Sequence, residues 1–194
     1  MREIPVLESE RLRIRPFLKI DLEPVHQLKV NVGWVNPHIS KTQQFILQEH
    51  WLNWTILNTE QLAKLDQPPY GDRAVVLKEE GTLIGSVGLV PCLDLYGQLP
   101  YFGSQQNCLA TPEVGLLWII DPAQQNKGYA TEAAQTLIDY AFGTMRLHRI
   151  IATTEYDNLA SQAVMHKLGM TIEHNPFPDP PWLQAVGILV NNRP

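Results

Sequence analysis

The sequence predicts a single mixed α/β domain over residues 1–194, with a mostly antiparallel twisted sheet flanked by helices. Three observations predict it. Residues 73–90 hold two apolar runs around Glu79-Glu80-Gly81, the pattern of a β-hairpin. Residues 113–174 alternate strand, helix, strand, helix, strand, the grammar of an α/β unit. A chain of 194 residues, 44% hydrophobic and 18% charged, is long and apolar enough to bury one core without disulfides.

The elements follow in order. In residues 7–15, Leu7, Leu12 and Ile14 stand against Arg11, Arg13 and Arg15, a half-buried strand that Pro16 ends. Asp21 caps a helix over 22–30, 34–38 is loop, and Ser40 caps a longer helix reaching about residue 58. The apolar residues of that helix are Phe45, Ile46, Trp51, Leu52 and Trp54; Trp34, Trp51 and Trp54 are read as core or pocket floor. Pro68-Pro69-Tyr70-Gly71 turns into strands 73–78 and 82–90. Residues 94–112, with Tyr96, Tyr101 and Phe102, are an irregular excursion that walls a pocket or covers the core or a dimer interface. Residues 113–120 are a near-continuous apolar strand, expected to be buried on both faces, and Asp121-Pro122 stops it. After a short loop, Ala134, Leu137, Ile138, Ala141 and Phe142 recur at helical spacing, closed by Gly143. Residues 149–154 are strand. Asn158 caps a helix with Ala160, Ala163, Val164 and Leu168 inward and Gly169 at its end. Residues 170–174 are extended, 175–181 are proline-rich loop and 183–190 are a final strand.

Charge and composition narrow the partners. Fifteen basic against 20 acidic residues give a net charge of −5, which speaks against a nucleic-acid footprint and suits an amine-bearing partner. Cys92 and Cys108 are too few for a disulfide framework or a zinc knuckle, so no metal is expected. No apolar run reaches the ~18 residues of a membrane span, and Met1-Arg2-Glu3-Ile4-Pro5 lacks a leader's apolar core. The expectation is a soluble, cytoplasmic protein, monomer or homodimer.

One loop carries chemistry. Gln125-Asn126-Lys127-Gly128-Tyr129-Ala130-Thr131 lies between the apolar strand and a helix. A helix start has unpaired N–H groups and partial positive charge, Gly128 permits close backbone approach, and Lys127 adds a cation. The combination suits a pyrophosphate. A plain turn with a solvated lysine is the plainer alternative. Neither G-x-G-x-x-G nor G-x-x-x-x-G-K-[ST] is present.

The surroundings are more specific. Gln125-x-x-Gly128-x-Ala130 precedes Thr131-Glu132-Ala133; Asn158-x-x-Ser161 and Lys167-Leu168-Gly169-Met170 follow. With Leu7-Glu8-Ser9-Glu10-Arg11-Leu12-Arg13-Ile14-Arg15 and Leu147-His148-Arg149-Ile150, the chain resembles the GNAT superfamily of acyl-CoA-dependent N-acyltransferases, in the branch of the ribosomal-protein-alanine N-acetyltransferases. The resemblance implies a sheet splayed in the middle, with pantetheine along Trp118, Ile119 and Ile120 and pyrophosphate on amides of residues 125–130. Asn158 would contact the pantetheine or the reacting centre, besides capping its helix.

The implied reaction is direct attack of an amine on the thioester of acetyl-CoA in a ternary complex. A protein N-terminus or a small-molecule amine is the acceptor. Glu113 is the candidate general base, and a strand-end glutamate paired with an arginine is its structural alternative. An N-terminal amine, of pKa ~8, asks less of a base than a lysine at ~10.4. A backbone N–H such as that of Ile119 would stabilise the developing oxyanion. The family's general acid is a Tyr seven residues after the Asn; Met165 stands there, leaving Ser161 and Tyr156 as hydroxyl candidates. His166, on the same helix, reads as a surface residue. The alternative to an enzyme is a catalytically silent acyl-CoA-binding module that senses or scaffolds.

Overall fold

The computed structural model describes residues 4–68 and 70–192. The first residues of the N-terminal start and Pro69 of the turn signal lie outside them. The strands are β1 (Leu7–Glu8), β2 (Leu12–Arg15), β3 (Gly71–Leu77), β4 (Leu83–Asp94), β5 (Thr111–Ile120), β6 (Arg149–Thr154), β7 (Thr171–His174) and β8 (Ala185–Val190). The helices are α1 (Leu22–Asn31), α2 (Lys41–Lys64), α3 (Tyr129–Gly143) and α4 (Leu159–Lys167). The strands lie in the order β1-β2-β3-β4-β5-β6-β8-β7, an open mixed sheet. β1/β2, β2/β3, β6/β8 and β7/β8 are antiparallel and β5/β6 is parallel, so the predicted fold class is the one found.

The chain divides into two compact units, residues 1–88 with 118–136, and 89–117 with 137–194. In the first, the strand expected over 7–15 is instead a hairpin. The Ser9 hydroxyl accepts from Leu12 N at 3.1 Å and Leu7 pairs with Ile14, so the side chain that looked like part of an alternating strand makes a turn. Asp21 does not cap α1 with its side chain. A 3₁₀ turn, Lys19–Asp21, precedes the helix, and the Asp21 carboxylate receives Arg15 Nη1 and Nη2 at 2.6 and 2.8 Å and Leu18 N at 2.7 Å. Ser40 does cap α2: its Oγ accepts from Gln43 N while Gln43 Oε1 accepts from Ser40 N, a reciprocal capping box. No breaker follows residue 58, and α2 runs on to Lys64.

Phe17, Val25, Leu52, Ala74 and Val76 form this unit's core, with Trp51 edge-on to Phe17. Burying each of the larger of these side chains, Phe17, Val25, Leu52 and Val76, contributes about 1.5–3 kcal/mol. Trp34 and Trp54 are 64% and 61% exposed, contrary to the expectation of core. Trp51 is part-buried and lies 3.8 Å beneath Lys29 Nζ. Burial lowers the Lys29 pKa and Asp72 draws it back up.

In the second unit the aromatic excursion supplies core. Tyr96 and Leu99 pack with Ile151, Leu183, Val186 and Ile188, and Phe102 lies against them. Burial pushes the Tyr96 phenol and the Cys92 thiol pKa values up. Gln98 Oε1 accepts from Asn175 Nδ2 at 2.7 Å, tying the excursion to the proline-rich loop. The buried face of α4 differs from the one expected. Leu168 is buried as expected, but Met165 is buried with it while Ala160 and Ala163 are exposed. Met165 fits because Gly187 of β8 has no side chain: a Cβ there would lie 3.0 Å from Met165 Sδ.

Candidate active site

In the first unit, the end of β5 and the start of α3 frame the loop that the sequence singled out. Pro122–Gln124 forms a 3₁₀ turn behind Asp121, whose Oδ1 accepts from Ala123 N at 2.9 Å. Gln125 Nε2 donates to Ile120 O at 3.1 Å, folding the loop back on the strand. Asn126 and Gly128 have φ of 61° and 84°, the left-handed region where Asn and Gly are tolerated. Lys127 Nζ reaches Gln124 Oε1 at 2.8 Å and stays exposed.

Glu132 N donates to Gly128 O at 3.0 Å, which makes Gly128 the cap of α3. The amides of Gly128, Tyr129, Ala130 and Thr131 are therefore the ones a helix leaves without internal partners. A run of such donors with a lysine beside it is a fit for a diphosphate.

The strand leading in is not buried on both faces as expected. Leu117, Trp118 and Ile119 are half-buried, and Ile120 is buried. Among the described residues, the parallel β5–β6 pairing rests on the one position Gly115↔Ile151, whereas β6 and β8 pair over Arg149↔Val190 to Thr154↔Ala185.

The carboxylate and hydroxyl candidates lie in the second unit. Glu113 Oε2 accepts from Arg149 Nε at 3.0 Å and its Oε1 from Arg149 Nη2, a bidentate pair. Both residues stand two positions before Gly115 and Ile151, so the pair bridges the end where β5 and β6 are joined. Arg149 also lies 4.6 Å from the Phe102 ring centre and 5.5 Å from that of Tyr101, and the Glu113 hydrogen bonds raise its pKa. Glu113 is thus an ion-pair member first.

Tyr156 OH donates to Asn175 O at 2.7 Å, and its ring meets His174 edge-on. Asn158 Oδ1 accepts from Ser161 N at 3.1 Å, the N-cap expected for it. The Ser161 side chain is half-buried, and His166 is exposed. Met165, fully buried, packs rather than facing a ligand.

Sequence reasoning gave no role to Arg11 and Glu132, which the structure joins directly behind the loop. Arg11 N and Nε donate to Glu132 Oε1 and Oε2 at 2.8 and 2.7 Å, and Arg11 Nη1 donates to Lys127 O at 3.0 Å. The signal available was a glutamate in the first turn of α3, a position that otherwise only favours the helix dipole.

The family described as an acetyltransferase (GNAT) domain matches residues 11–171. The chain is similar to the N-acetyltransferase YnaD of Bacillus subtilis (strain 168), 42% identical over 107 residues, or 53% of this chain and 54% of that protein. The chain spans about half the length of the curated relatives it matches in this way. A GNAT-family acetyltransferase from Bacillus anthracis shares the fold with a TM-score of 0.66 at 26% identity, over 97% of this chain and 99% of that one. The ribosomal-protein-S5-alanine acetyltransferase of Vibrio fischeri does so with a TM-score of 0.66 at 20% identity, again over 97% and 99%. The matched span takes in the strand, the loop and both arginine–glutamate pairs, and the chain belongs to the GNAT acetyltransferase family.

Proposed function

We propose that the protein transfers the acetyl group of acetyl-CoA to a primary amine, on a small molecule or a protein N-terminus, within a ternary complex. The observation that carries this is the loop of residues 125–131, with its left-handed Asn126 and Gly128 and its cap-position amides, in a chain of this family. The diphosphate rests on the amides of Gly128 to Thr131, and the pantetheine amides meet the backbone of Trp118, Ile119 and Ile120. The amine nitrogen attacks the thioester carbonyl carbon, the C–S bond breaks, the amine loses a proton and the thiolate leaves. The Ile119 N–H is the donor we assign to the developing oxyanion.

Glu113 is the proposed base only if Arg149 yields one of its oxygens; an N-terminal amine of pKa ~8 is partly neutral near pH 7 and needs little help. Ser161 and Tyr156 are the hydroxyls proposed to protonate sulfur. A CoA thiolate is a tolerable leaving group even unassisted, since a free thiol has pKa ~8.5.

Met165 supports the second reading, a silent acyl-CoA-binding module. It is fully buried where the family's proton donor stands.

Release of free CoA thiol from acetyl-CoA over a panel of amines separates the two. The panel holds an alanine-start peptide, a serine-start peptide, a polyamine and free amino acids. Amine-dependent release supports the enzyme. Tight binding of acetyl-CoA with no release under any amine supports the silent module.

A further inference from the structure

We infer that Arg11 is a positioning residue for the diphosphate end of the acyl-CoA site: it sets the direction in which the Gly128 amide points, without touching the ligand. The inference rests on the functional reading above and adds a residue to it.

The geometry is a fixed chain of contacts. Lys78 Nζ donates to Ser9 O at 2.6 Å, and the Ser9 hydroxyl donates to Glu132 Oε1 at 2.7 Å. Arg11 adds its own backbone N and its Nε to the two Glu132 oxygens, with Nη2 2.6 Å from Oε2. The guanidinium is then held in one plane, 4.5 Å from the centre of the Tyr129 ring. Its remaining nitrogen, Nη1, donates to Lys127 O at 3.0 Å.

That last bond decides the loop. In a trans peptide the C=O and the following N–H point in opposite directions, because the unit is planar. The Lys127 carbonyl is turned towards Arg11, so the Gly128 N–H is turned away from it. Without Arg11, the 127–128 peptide, which leads into left-handed Gly128, has lost the bond that holds its orientation. Glycine suits position 128 because its φ of 84° lies in the left-handed region; a Cβ there would meet Arg11 Nη2 only at ordinary contact distance, 3.4 Å.

The contribution is geometric more than electrostatic, because Glu132 already balances the charge of Arg11. Burial alone would raise the Glu132 pKa, but the Ser9 hydroxyl and the Arg11 amide and guanidinium together bring it below the ordinary 4.5, keeping it ionised at neutral pH. A lysine keeps the charge and the backbone bond to Oε1, but its single ammonium lacks the planar fork that joins Glu132 Oε2 to the Lys127 carbonyl.

The test is calorimetric titration of the intact chain with acetyl-CoA, beside competition by S-acetyl-pantetheine, which lacks the diphosphate. Arg11→Ala and Arg11→Lys should each weaken acetyl-CoA by about ten- to a hundredfold, as for a charge-assisted hydrogen-bond set. Neither should change the affinity for S-acetyl-pantetheine. Glu132→Gln should give a similar loss, and the double variant with Arg11→Ala little more than either single one.

Wild-type affinity for acetyl-CoA in Arg11→Lys would overturn the role while leaving the functional reading intact. Equal losses for the two ligands in Arg11→Lys would also overturn it, since they would report a general loss of structure. A wild-type chain that binds neither ligand would overturn the functional reading itself, and the role with it.

Discussion

Each of the two units contains an arginine–glutamate pair with a part-buried carboxylate, Arg11–Glu132 in the first and Arg149–Glu113 in the second, and the two work differently. In the first unit the Arg11 and Glu132 side chains are 44% and 16% exposed; in the second those of Arg149 and Glu113 are 29% and 8% exposed. Arg11 joins the turn between β1 and β2 to a helix residue 121 positions away and passes its geometry on to the Lys127 carbonyl. Arg149 joins neighbouring strands at one register level, under the rings of Phe102 and Tyr101. The same ionic chemistry therefore shapes a loop in one place and closes a strand pair in the other. The more exposed pair should matter more to ligand affinity than to stability, because exposed pairs contribute only about 0–1 kcal/mol. The more buried pair should matter in the opposite sense.

The largest stability effect belongs to the second pair. Glu113→Ala leaves Arg149 without its carboxylate and should cost about 3 kcal/mol, the low end for a broken buried pair because Arg149 is part-exposed. Urea unfolding measures it. A loss below about 0.5 kcal/mol, the scale of an ordinary surface change, would erase the contrast between the pairs. The isosteric Glu113→Gln adds a second reading: a turnover deficit that deepens as pH falls from 9 to 6 means Glu113 also takes the amine's proton, and an unchanged pH profile leaves it the clamp alone.

Next comes Met165→Tyr. Met165 is fully buried and close to Gly187, so the larger ring should destabilise by about 1–3 kcal/mol and bring no gain in turnover. Faster turnover would show that α4 can present residue 165 to the sulfur after all. Tyr156→Phe removes one hydrogen bond to Asn175 O, worth about 1 kcal/mol. If Tyr156 or Ser161 is the acid, Tyr156→Phe or Ser161→Ala lowers turnover by about 10²–10⁴-fold at unchanged acetyl-CoA affinity. Equal turnover in wild type and both variants leaves proton delivery to solvent.

The smallest effect is that of pH on the first pair. Glu132 has a folded pKa below 4.5, so its stabilisation is complete above that value and is lost as pH falls through the lowered one. The Glu132→Gln deficit in acetyl-CoA affinity should therefore be constant from pH 6 to 9. A deficit that varies across that range would mean another group controls the loop.

What the sequence made legible was local and periodic. The apolar strand before Asp121, the glycine-bearing loop, α3 with its period of apolar residues, and the caps at Ser40 and Asn158 all signal within a few residues of themselves. What it hid was set at a distance or was too short to show a period. The nine residues of α4 span under three turns, and its alanines suit either face, so Met165 went inward beside the expected Leu168 while Ala160 and Ala163 stayed exposed. Asp21 reads as a cap until Arg15 claims its carboxylate. Ser9 reads as one step of a strand until its hydroxyl turns the chain towards Glu132. In the site, the loop backbone was readable because glycine and helix position imply it. The Arg11 contact that orients it was not, because nothing local marks a partner 116 residues away.

Calorimetric titration of the wild type and Gly128→Val with acetyl-CoA tests the central claim most directly. Valine at φ 84° strains the backbone by about 1–2 kcal/mol or more and sets a branched side chain against Arg11 Nη2, so the loop must shift. The account predicts clear binding by the wild type and at least tenfold weaker binding by a variant that still unfolds cooperatively. Equal affinity in the two proteins would contradict it and place the diphosphate elsewhere.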